Sequence, residues 1–430
     1  MARRYKEGLL PFKIVAYDEP LIARSGLLLP YEIAKALKLP RVIDKELPRP
    51  GSGRGYQPSQ FVIPLVLMFH GGGKELEDLR EIKGETSLRE LLEMENLPAS
   101  CTIGDWLRRM GSGDGKGLYG LGKVNHHLVT EVVLRDHRNS YTLDVDATII
   151  EADKEEAKVS YKGGKGYQPQ IGFLFEVGLV LEDEFREGNV PAGARAVDFV
   201  EKCFDTMPTG KSIGYLRSDS ALYQAGVINL CFERNTLFTI TADQDKGVKE
   251  TIKVIKEWRP YQGDKEVAET IHTMNNTREA FRLIVLRWPK LQAGLFDPSP
   301  YFYHVIATNR EEDAEEVIKL HNHRGEVENY IKELKSGFGM EWMPCGEAYA
   351  NAVFFRIGVI AYNLSLAMKL LALPTWYRSF TISTVRWRLY QVAGAVVRHA
   401  HQLLLKLGAP INKLLLFHKF RLRCFELAIS

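Results

Sequence analysis

The sequence is poor in cysteine and has no strong excess of charge of either sign. None of its five cysteines forms a C-x-x-C pair, and they are spread over the 430 residues at Cys101, Cys203, Cys231, Cys345 and Cys424. This spacing argues against a disulfide framework or a zinc knuckle and is typical of a reducing cytoplasm. The charged fraction is 26% and the hydrophobic fraction is 45%, which excludes a chain that is disordered as a whole. At about 150 residues per domain, the length predicts two or three domains.

The sequence also lacks the patterns of a signal peptide, a membrane span and a nucleotide-binding loop. Residues 1–7 are basic, but no apolar run follows them. The most apolar stretch, 353–373, contains an arginine, an asparagine and a lysine. A membrane span needs about 20 nearly uncharged residues, so this stretch predicts a buried core helix. The glycine-rich run at 163–166 lacks the spacing of a P-loop, and we expect neither a membrane nor a nucleotide as a partner.

The net charge of +3 hides an asymmetry between the two parts of the chain. Residues 356–430 contain eleven Lys or Arg and one acid, Glu426, which gives +10 and leaves −7 for residues 1–355. A basic tail on a mildly acidic body indicates a polyanionic partner, of which nucleic acid is the commonest. The alternative interpretation is a solubilising helical face. Arg386, Arg388 and Arg398 alternate with apolar residues and predict a basic helix in either case.

The N-terminal region, 1–137, is predicted to be a helical DNA-binding region. Residues 88–93 and 102–109 have helical patterns and are joined by a short segment at 97–100, as in a helix-turn-helix. In that interpretation Trp106, Arg108 and Arg109 lie along a DNA groove. Helix pairs joined by short turns are common in any helical domain, so an ordinary helical pair is the alternative.

Alternation and β-branched residues predict strands after Ser140. Three consecutive strands come first, at 141–150, 171–177 and 179–185. They are followed by a helix, a strand at 213–219, a second helix and a strand at 236–241, which is the element order of an RNase H-like core. We therefore predict an α/β fold with a mixed sheet and flanking helices. Its core comprises 138–244 and 306–340, interrupted by a mostly β insertion at 245–305 and followed by a basic helical C-terminal region at 341–430.

Three carboxylates are the candidate catalytic groups. Asp146 lies in the first predicted strand, Asp219 ends the fourth, and Glu328 lies on a late helix. The first and fourth strands of an RNase H-like core are neighbours and the helix packs across their ends, so the three side chains should converge. Such a set holds two hard cations, Mg²⁺ or Mn²⁺, for phosphoryl transfer. Asp144 shares a strand face with Asp146 and is either a rival ligand or a group that supports the ligands from behind.

Cationic residues surround Glu328 on one helical face. At about 100° per residue, Lys332 and Lys335 fall on the same face as Arg324 and Glu328. One interpretation is salt bridging along the helix, which is worth about 0.2–0.5 kcal/mol per pair. The other is a metal ligand flanked by phosphate contacts, in which the arginine binds bidentately and the lysines act as point charges.

At these residues the chain resembles the DDE transposases of bacterial insertion sequences. One branch of that family carries the signature Y-(2)-R-(3)-E-(6)-K around its glutamate. This sequence gives His321-(2)-Arg324-(3)-Glu328-(6)-Lys335, with histidine in the tyrosine position. The Asp-x-Thr at Asp146 and the Arg-x-Asp ending at position 219 match as well. Glu328 follows Asp219 by 109 residues (328 − 219), a separation that fits the branch with a mostly β insertion.

The resemblance implies an enzyme that binds the terminal inverted repeats of an insertion sequence, cleaves its ends and joins the 3′ ends to target DNA. It implies a homodimer when two ends are paired, and a cytoplasmic, nucleoid-associated protein of a bacterium or archaeon. In the tyrosine position, His321 is expected to contact phosphate best when it is protonated. Two other functions stay open: a domesticated DNA-binding protein that does not cut, and a host RNase H-like nuclease.

Overall fold

The structure is a computed structural model that describes residues 14, 21–49, 51, 55–290, 299–400 and 402–429. The basic residues 1–7 lie outside this part of the chain. The described α-helices are α1 (Leu28–Ala36), α2 (Leu39–Glu46), α3 (Ser59–Gly71), α4 (Leu79–Gly84), α5 (Thr86–Leu91), α6 (Ser100–Gly111), α7 (Lys116–Val133), α8 (Ala196–Thr206), α9 (Ala225–Glu233), α10 (Lys246–Lys253), α11 (Ala314–Asn322), α12 (Val327–Lys332), α13 (Ala348–Ala367), α14 (Ile382–Val385) and α15 (Ile411–Ile429).

The described strands belong to one large sheet and two small ones. They are β1 (Leu21–Ile22), β2 (Ser140–Ala147), β3 (Ile150–Glu151), β4 (Lys158–Val159), β5 (Lys165–Tyr167), β6 (Gln170–Leu174), β7 (Leu179–Glu184), β8 (Ser212–Ser218), β9 (Leu237–Thr241), β10 (Arg259–Tyr261), β11 (Lys265–His272), β12 (Phe281–Pro289), β13 (Tyr301–Thr308), β14 (Gly394–His399) and β15 (Gln402–Leu407). The two small sheets have the orders β1-β14-β15 and β3-β5-β4.

The large sheet has the order β10-β11-β12-β13-β9-β8-β2-β6-β7. Within it, β2 runs antiparallel to β6 and parallel to β8, and β8 runs parallel to β9. The predicted mixed sheet is confirmed, and the first and fourth predicted strands are neighbours in it. The middle of β2 is buried, and β6 and β8 pair with it on either side.

The segment predicted as a mostly β insertion continues this sheet. After α10, the strands β10, β11, β12 and β13 form an antiparallel series, and β13 pairs with β9 from Ile306 to Thr308. A small apolar cluster joins α11 to these strands, with Val317 and Ile318 packed against Ile284 and Ile306. The helix that leads to Glu328 therefore rests on the insertion strands.

The long helix α13 is the centre of the helical part of the protein. It packs against α3, α6 and α7, and nearly all of its side chains are buried. The span Ala348–Ala372 is long and apolar enough to cross a membrane, but most of it is buried inside the protein, as the predicted core helix requires. One apolar core runs from Ile22 to Cys424, so the N-terminal helices share their core with the C-terminal region.

The C-terminal region is not entirely helical, which corrects the prediction for 341–430. Residues of β14 and β15 form a hairpin in which Val396 pairs with Leu405 and Val397 with Leu404. The β-branched pair of valines favours a strand over a helix, and β1 extends the hairpin at its other edge. Arg386 lies in the π-helical turn after α14, whereas Arg398 lies on β14. The three predicted arginines therefore do not share one helix.

Candidate active site

The sheet places Asp146 and Asp219 side by side. Val145 of β2 lies opposite Ser218 of β8 in the parallel pair, and each is followed directly by one of the two aspartates. Both carboxylates thus leave the sheet at the carboxyl ends of adjacent strands. The Asp219 Oδ1 accepts a hydrogen bond from the backbone N–H of Ala221 at 3.0 Å and begins a 3₁₀ turn there. The Asp146 Oδ1 accepts one from its neighbour Ala147 at 2.8 Å.

Glu328 lies in the first turn of α12 and is exposed. Its charge reaches Asp146: burial, together with the carboxylates of Asp219 and Glu328, raises the pKa of Asp146 to about 6, although Arg324 acts in the opposite direction. The Asp146 side chain is 18% exposed, and its Oδ2 lies 3.9 Å from Nη1 of Arg324. Within the described ranges, no three His, Cys, Asp or Glu side chains are already close enough to hold a metal ion. The structure brings Asp219 and Glu328 within electrostatic range of Asp146, which Arg324 also borders.

Asp144 is not a rival ligand, because an arginine already binds both oxygens of its carboxylate. It is 1% exposed and forms a bidentate ion pair with Arg217, from Nε to Oδ1 at 2.7 Å and from Nη2 to Oδ2 at 2.6 Å. Burial raises the pKa of Asp144 to about 6, while the guanidinium lowers it. Sequence reasoning missed Arg217. Two motifs together could have indicated it: Asp-x-Asp on β2 and Arg-x-Asp on the neighbouring strand β8. They place an acidic and a basic side chain on adjacent strands, each two residues before a catalytic candidate.

His321 does not take the role predicted for the tyrosine position. It is 3% exposed, and its ring nitrogens form hydrogen bonds with Thr241 Oγ1 at 3.0 Å and Thr239 Oγ1 at 3.1 Å. Burial, together with the nearby His304 and Arg324, lowers the pKa of His321 to about 3. The imidazole is therefore neutral and packed against β9, so the expectation of a protonated phosphate contact is wrong. The cause is the packing of α11 on the sheet, which turns position 321 inward.

The cations predicted on one face of the Glu328 helix do not lie on one continuous α-helix. Residues 323–326 form a 3₁₀ turn and 333–337 a π-helical turn, so the segment does not follow α-helical periodicity throughout. Lys335 is half-buried, and its Nζ donates to Ile149 O at 2.7 Å in the loop that follows β2. Burial lowers the pKa of Lys335. Lys332 is exposed, and Arg324 lies at Asp146.

Trp106 is a core residue, which corrects its predicted contact with DNA. It is 2% exposed and stacks on Phe61 at a centroid distance of 4.8 Å. Its neighbours on α6 differ. Arg108 and Arg109 are both exposed, and Arg108 donates to Glu347 at 2.9 Å and to Asp105 at 3.1 Å. The apolar face of α6 packs on α3 and α13, so a residue on that face has no access to a DNA groove.

The three C-terminal arginines lie in different environments. The Arg386 guanidinium donates to the backbone oxygens of Phe69, His70 and Gly337 at 2.6–2.8 Å, and burial lowers its pKa. It ties α3 to the Glu328 segment, so Nε and Nη2 serve backbone oxygens inside the protein instead of the predicted contact with DNA. Arg388 is exposed and lies over Phe380, and Arg398 is exposed with an ion pair to Glu90.

Comparisons with known proteins identify the family of the chain. Residues 19–427 match the family described as transposase DDE domain, group 1. Among solved structures, the chain is similar to piggyBac transposase in its synaptic complex with hairpin DNA, at 11% identity and a TM-score of 0.49, over 86% of this chain and 80% of that one. No curated protein matches it. The family predicted from the sequence is confirmed, and the chain belongs to the DDE transposases.

Proposed function

We propose that this DNA transposase binds the terminal inverted repeats of its own element, cleaves the element ends and joins the 3′ ends to target DNA. The observation that carries the proposal is the parallel register of β2 and β8, which puts Asp146 beside Asp219. Glu328 approaches the same edge from α12 and acts on the charge of Asp146. Three carboxylates from two strands and a helix suit a reaction in which a phosphodiester is attacked and a hydroxyl leaves.

The residues at this edge fit a divalent cation. All three are hard oxygen donors, the class that Mg²⁺ and Mn²⁺ prefer. Burial is the main cause of the raised pKa of Asp146, the other two carboxylates add to the rise, and Arg324 opposes it. We propose that Asp146, Asp219 and Glu328 hold two ions. When bound, such ions lower the pKa of the attacking water and stabilise the leaving oxygen.

The cations around the carboxylates have separate roles in the proposal. Arg324 borders Asp146 and is partly exposed, so its planar fork is available to a phosphate beside the scissile bond. Lys332 is exposed and adds a point charge along the DNA. Lys335 donates to Ile149 O and lies 3.4 Å from Thr148 Oγ1, so it holds the loop that follows Asp146.

Binding of the rest of the DNA is proposed for exposed cations away from the carboxylates. Arg109, Arg388 and Arg398 keep their guanidinium groups at the surface. Contacts of this kind position a duplex through its phosphates, and their contribution falls as salt rises. A homodimer would bring two ends together before joining.

The experiment uses a linear DNA that carries the element's own ends and measures cleavage and joining with Mg²⁺. Glu328→Gln should reduce cleavage by about 100-fold or more, because a ligand is lost, while end binding stays within about twofold. Glu326→Gln is the matched control, since Glu326 is exposed two residues earlier and pairs with His323. Equal cleavage by both variants would overturn the assignment of Glu328.

Wild-type behaviour in the same experiment separates the alternative functions. End binding without any cleavage in Mg²⁺ or Mn²⁺ would identify a DNA-binding protein that does not cut. Cleavage without preference for the element's ends, and without joining, would identify a host nuclease. Cleavage at the ends followed by joining is the outcome that the proposal requires.

A further inference from the structure

We infer that Arg217 is a positioning residue, whose guanidinium fixes the three chain segments that carry Asp146, Asp219 and Glu328 relative to one another. Since the role concerns the carboxylates described above, it rests on the proposed function. Arg217 touches none of the three itself in the contacts described here. It acts through a buried carboxylate and a backbone oxygen.

The contacts of Arg217 reach three separate elements. The side chain extends from β8 and is 3% exposed. Two of its donors, Nε and Nη2, bind both oxygens of Asp144 on β2. The third, Nη1, donates to the backbone oxygen of Leu320 on α11 at 2.9 Å. One planar group therefore joins two strands and a helix.

Each of these contacts lies a few residues along the chain from a proposed metal ligand. Arg217 precedes Asp219 by two residues and Asp144 precedes Asp146 by two, and the two partners lie directly opposite each other in the parallel pair. Leu320 lies in the last turn of α11, four residues before Arg324 and eight before Glu328. Because side chains two apart on a strand point to the same side, the ion pair lies directly behind the carboxylates.

The surroundings hold the guanidinium in one orientation. The centre of the Phe175 ring lies 4.2 Å from its Cζ, and the centre of the Tyr215 ring lies 5.8 Å from it. A lysine at this position would keep the charge but would lack the planar fork that serves two oxygens and a carbonyl at once. The expected consequence is a looser relation between the β2–β8 edge and the Glu328 segment, with the charge of the region unchanged.

A second buried arginine–aspartate pair offers a matched control. Arg356 on α13 binds both oxygens of Asp183 on β7 at 3.0 Å each, and its Nη1 donates to the backbone oxygen of Leu118 on α7 at 3.1 Å. This pair has the same chemistry, including the backbone acceptor, but it joins α7 and α13 to the edge strand β7. None of them carries Asp146, Asp219 or Glu328.

The experiment compares Arg217→Lys with Arg356→Lys, using Mn²⁺ as the probe. Thermal unfolding is followed at increasing Mn²⁺, and cleavage and end binding are measured in parallel. Both variants should lower the metal-free unfolding midpoint. Only Arg217→Lys should need about tenfold or more Mn²⁺ for half of the metal-induced rise, since outer supports of a metal site typically contribute 10–100-fold to affinity. Its cleavage should fall while end binding stays within about twofold.

Two results would overturn the inference: a wild-type Mn²⁺ response in Arg217→Lys, or an equal loss in Arg356→Lys, which would mean general loosening. If Arg217→Lys does not fold, the double variant Asp144→Leu, Arg217→Met replaces the pair by apolar groups, a change that folded proteins tolerate. A wild-type Mn²⁺ response in that folded variant would also overturn it. The proposed function fails separately, when wild type binds Mn²⁺ but does not cleave the element ends.

Discussion

Asp144 and Asp146 lie two residues apart on β2 and differ in what surrounds them. Burial raises the pKa of both to about 6. Asp144 faces a guanidinium that binds both of its oxygens, whereas Asp146 faces two more carboxylates and an arginine at 3.9 Å. Asp144 is thus fully paired with an arginine, whereas the negative charge of Asp146 is only partly compensated.

The difference shows that burial alone does not identify a functional carboxylate. Structural ion pairs and catalytic groups both have shifted pKa values, and the balance of nearby charge separates them. Around Asp146 there is an excess of negative charge, and it lies at the edge of the sheet where a cation can enter. At Asp144 the charge is satisfied and enclosed. Substitutions at the two positions should therefore have opposite effects on stability.

The largest effect is expected from Asp144→Asn. Removing this charge leaves the Arg217 guanidinium buried without its counter-ion, which typically costs about 3–5 kcal/mol. Urea denaturation at pH 7.5 without metal should show the loss in the free energy of unfolding. A loss below about 1 kcal/mol would mean that water reaches the pair and that the contrast with Asp146 is smaller than the structure indicates.

Asp146→Asn should have the opposite sign. It removes one of three mutually repelling carboxylates, and the amide oxygen can still accept from Ala147. Because a shift of one pKa unit corresponds to about 1.4 kcal/mol, the metal-free protein should gain about 1–3 kcal/mol at pH 7.5. The same variant should lose its stabilisation by Mn²⁺. Destabilisation in the absence of metal would contradict the charge balance described for the site.

The stabilising effect of Asp146→Asn should depend on pH. A carboxyl with a pKa of about 6 in the folded state and about 3.9 in the unfolded state holds its proton more tightly when folded. Its favourable contribution is complete below about pH 4 and is lost as the pH rises through 6. The gain on replacement by Asn should therefore be full above about pH 7 and vanish near pH 4. A gain that is constant from pH 4 to 8 would point to packing instead of charge.

Arg324→Lys should have a smaller effect, and on cleavage more than on stability. The lysine keeps a positive charge near Asp146 but loses the planar fork proposed to bind a phosphate. We expect cleavage to fall about tenfold, which corresponds to about 1.4 kcal/mol, with little change in the free energy of unfolding. Cleavage at the wild-type rate would remove the bidentate role of Arg324.

The smallest effect on stability is expected at the surface. Arg398→Gln removes an exposed ion pair with Glu90, and such pairs contribute about 0–1 kcal/mol. If Arg398 contacts a phosphate, the slope of log K against log salt should fall by about 0.9. An unchanged slope would show that DNA passes elsewhere.

The placement of Asp146 and Asp219 could be predicted because it depends on local rules. Strand alternation identified β2 and β8, and the order of elements made them neighbours. The ion pair behind them also follows from the two-residue spacing, although its backbone acceptor on α11 does not. That contact depends on how α11 packs on the insertion strands, and no local sequence pattern specifies this packing.

The remaining differences arise from packing between distant segments. His321 follows a helical pattern, yet β9 covers it and keeps it neutral. Trp106 lies on the face of α6 that Phe61 covers from α3. Arg386 is basic in sequence but serves three carbonyls of other elements. In each case a polar or aromatic residue with a plausible role in DNA binding instead makes contacts inside the folded protein.

The helix α13 has a consequence for the timing of synthesis. The helices α3, α6 and α7 pack against it, although α7 ends at Val133 and α13 ends only at Ala367. At about 5–20 residues per second, a ribosome needs roughly 10–50 s to cover that interval. Throughout it the faces of α3, α6 and α7 that pack on α13 stay uncovered, and a chain interrupted before residue 348 never covers them. The packing of the N-terminal helices is therefore completed only after α13 has been synthesised.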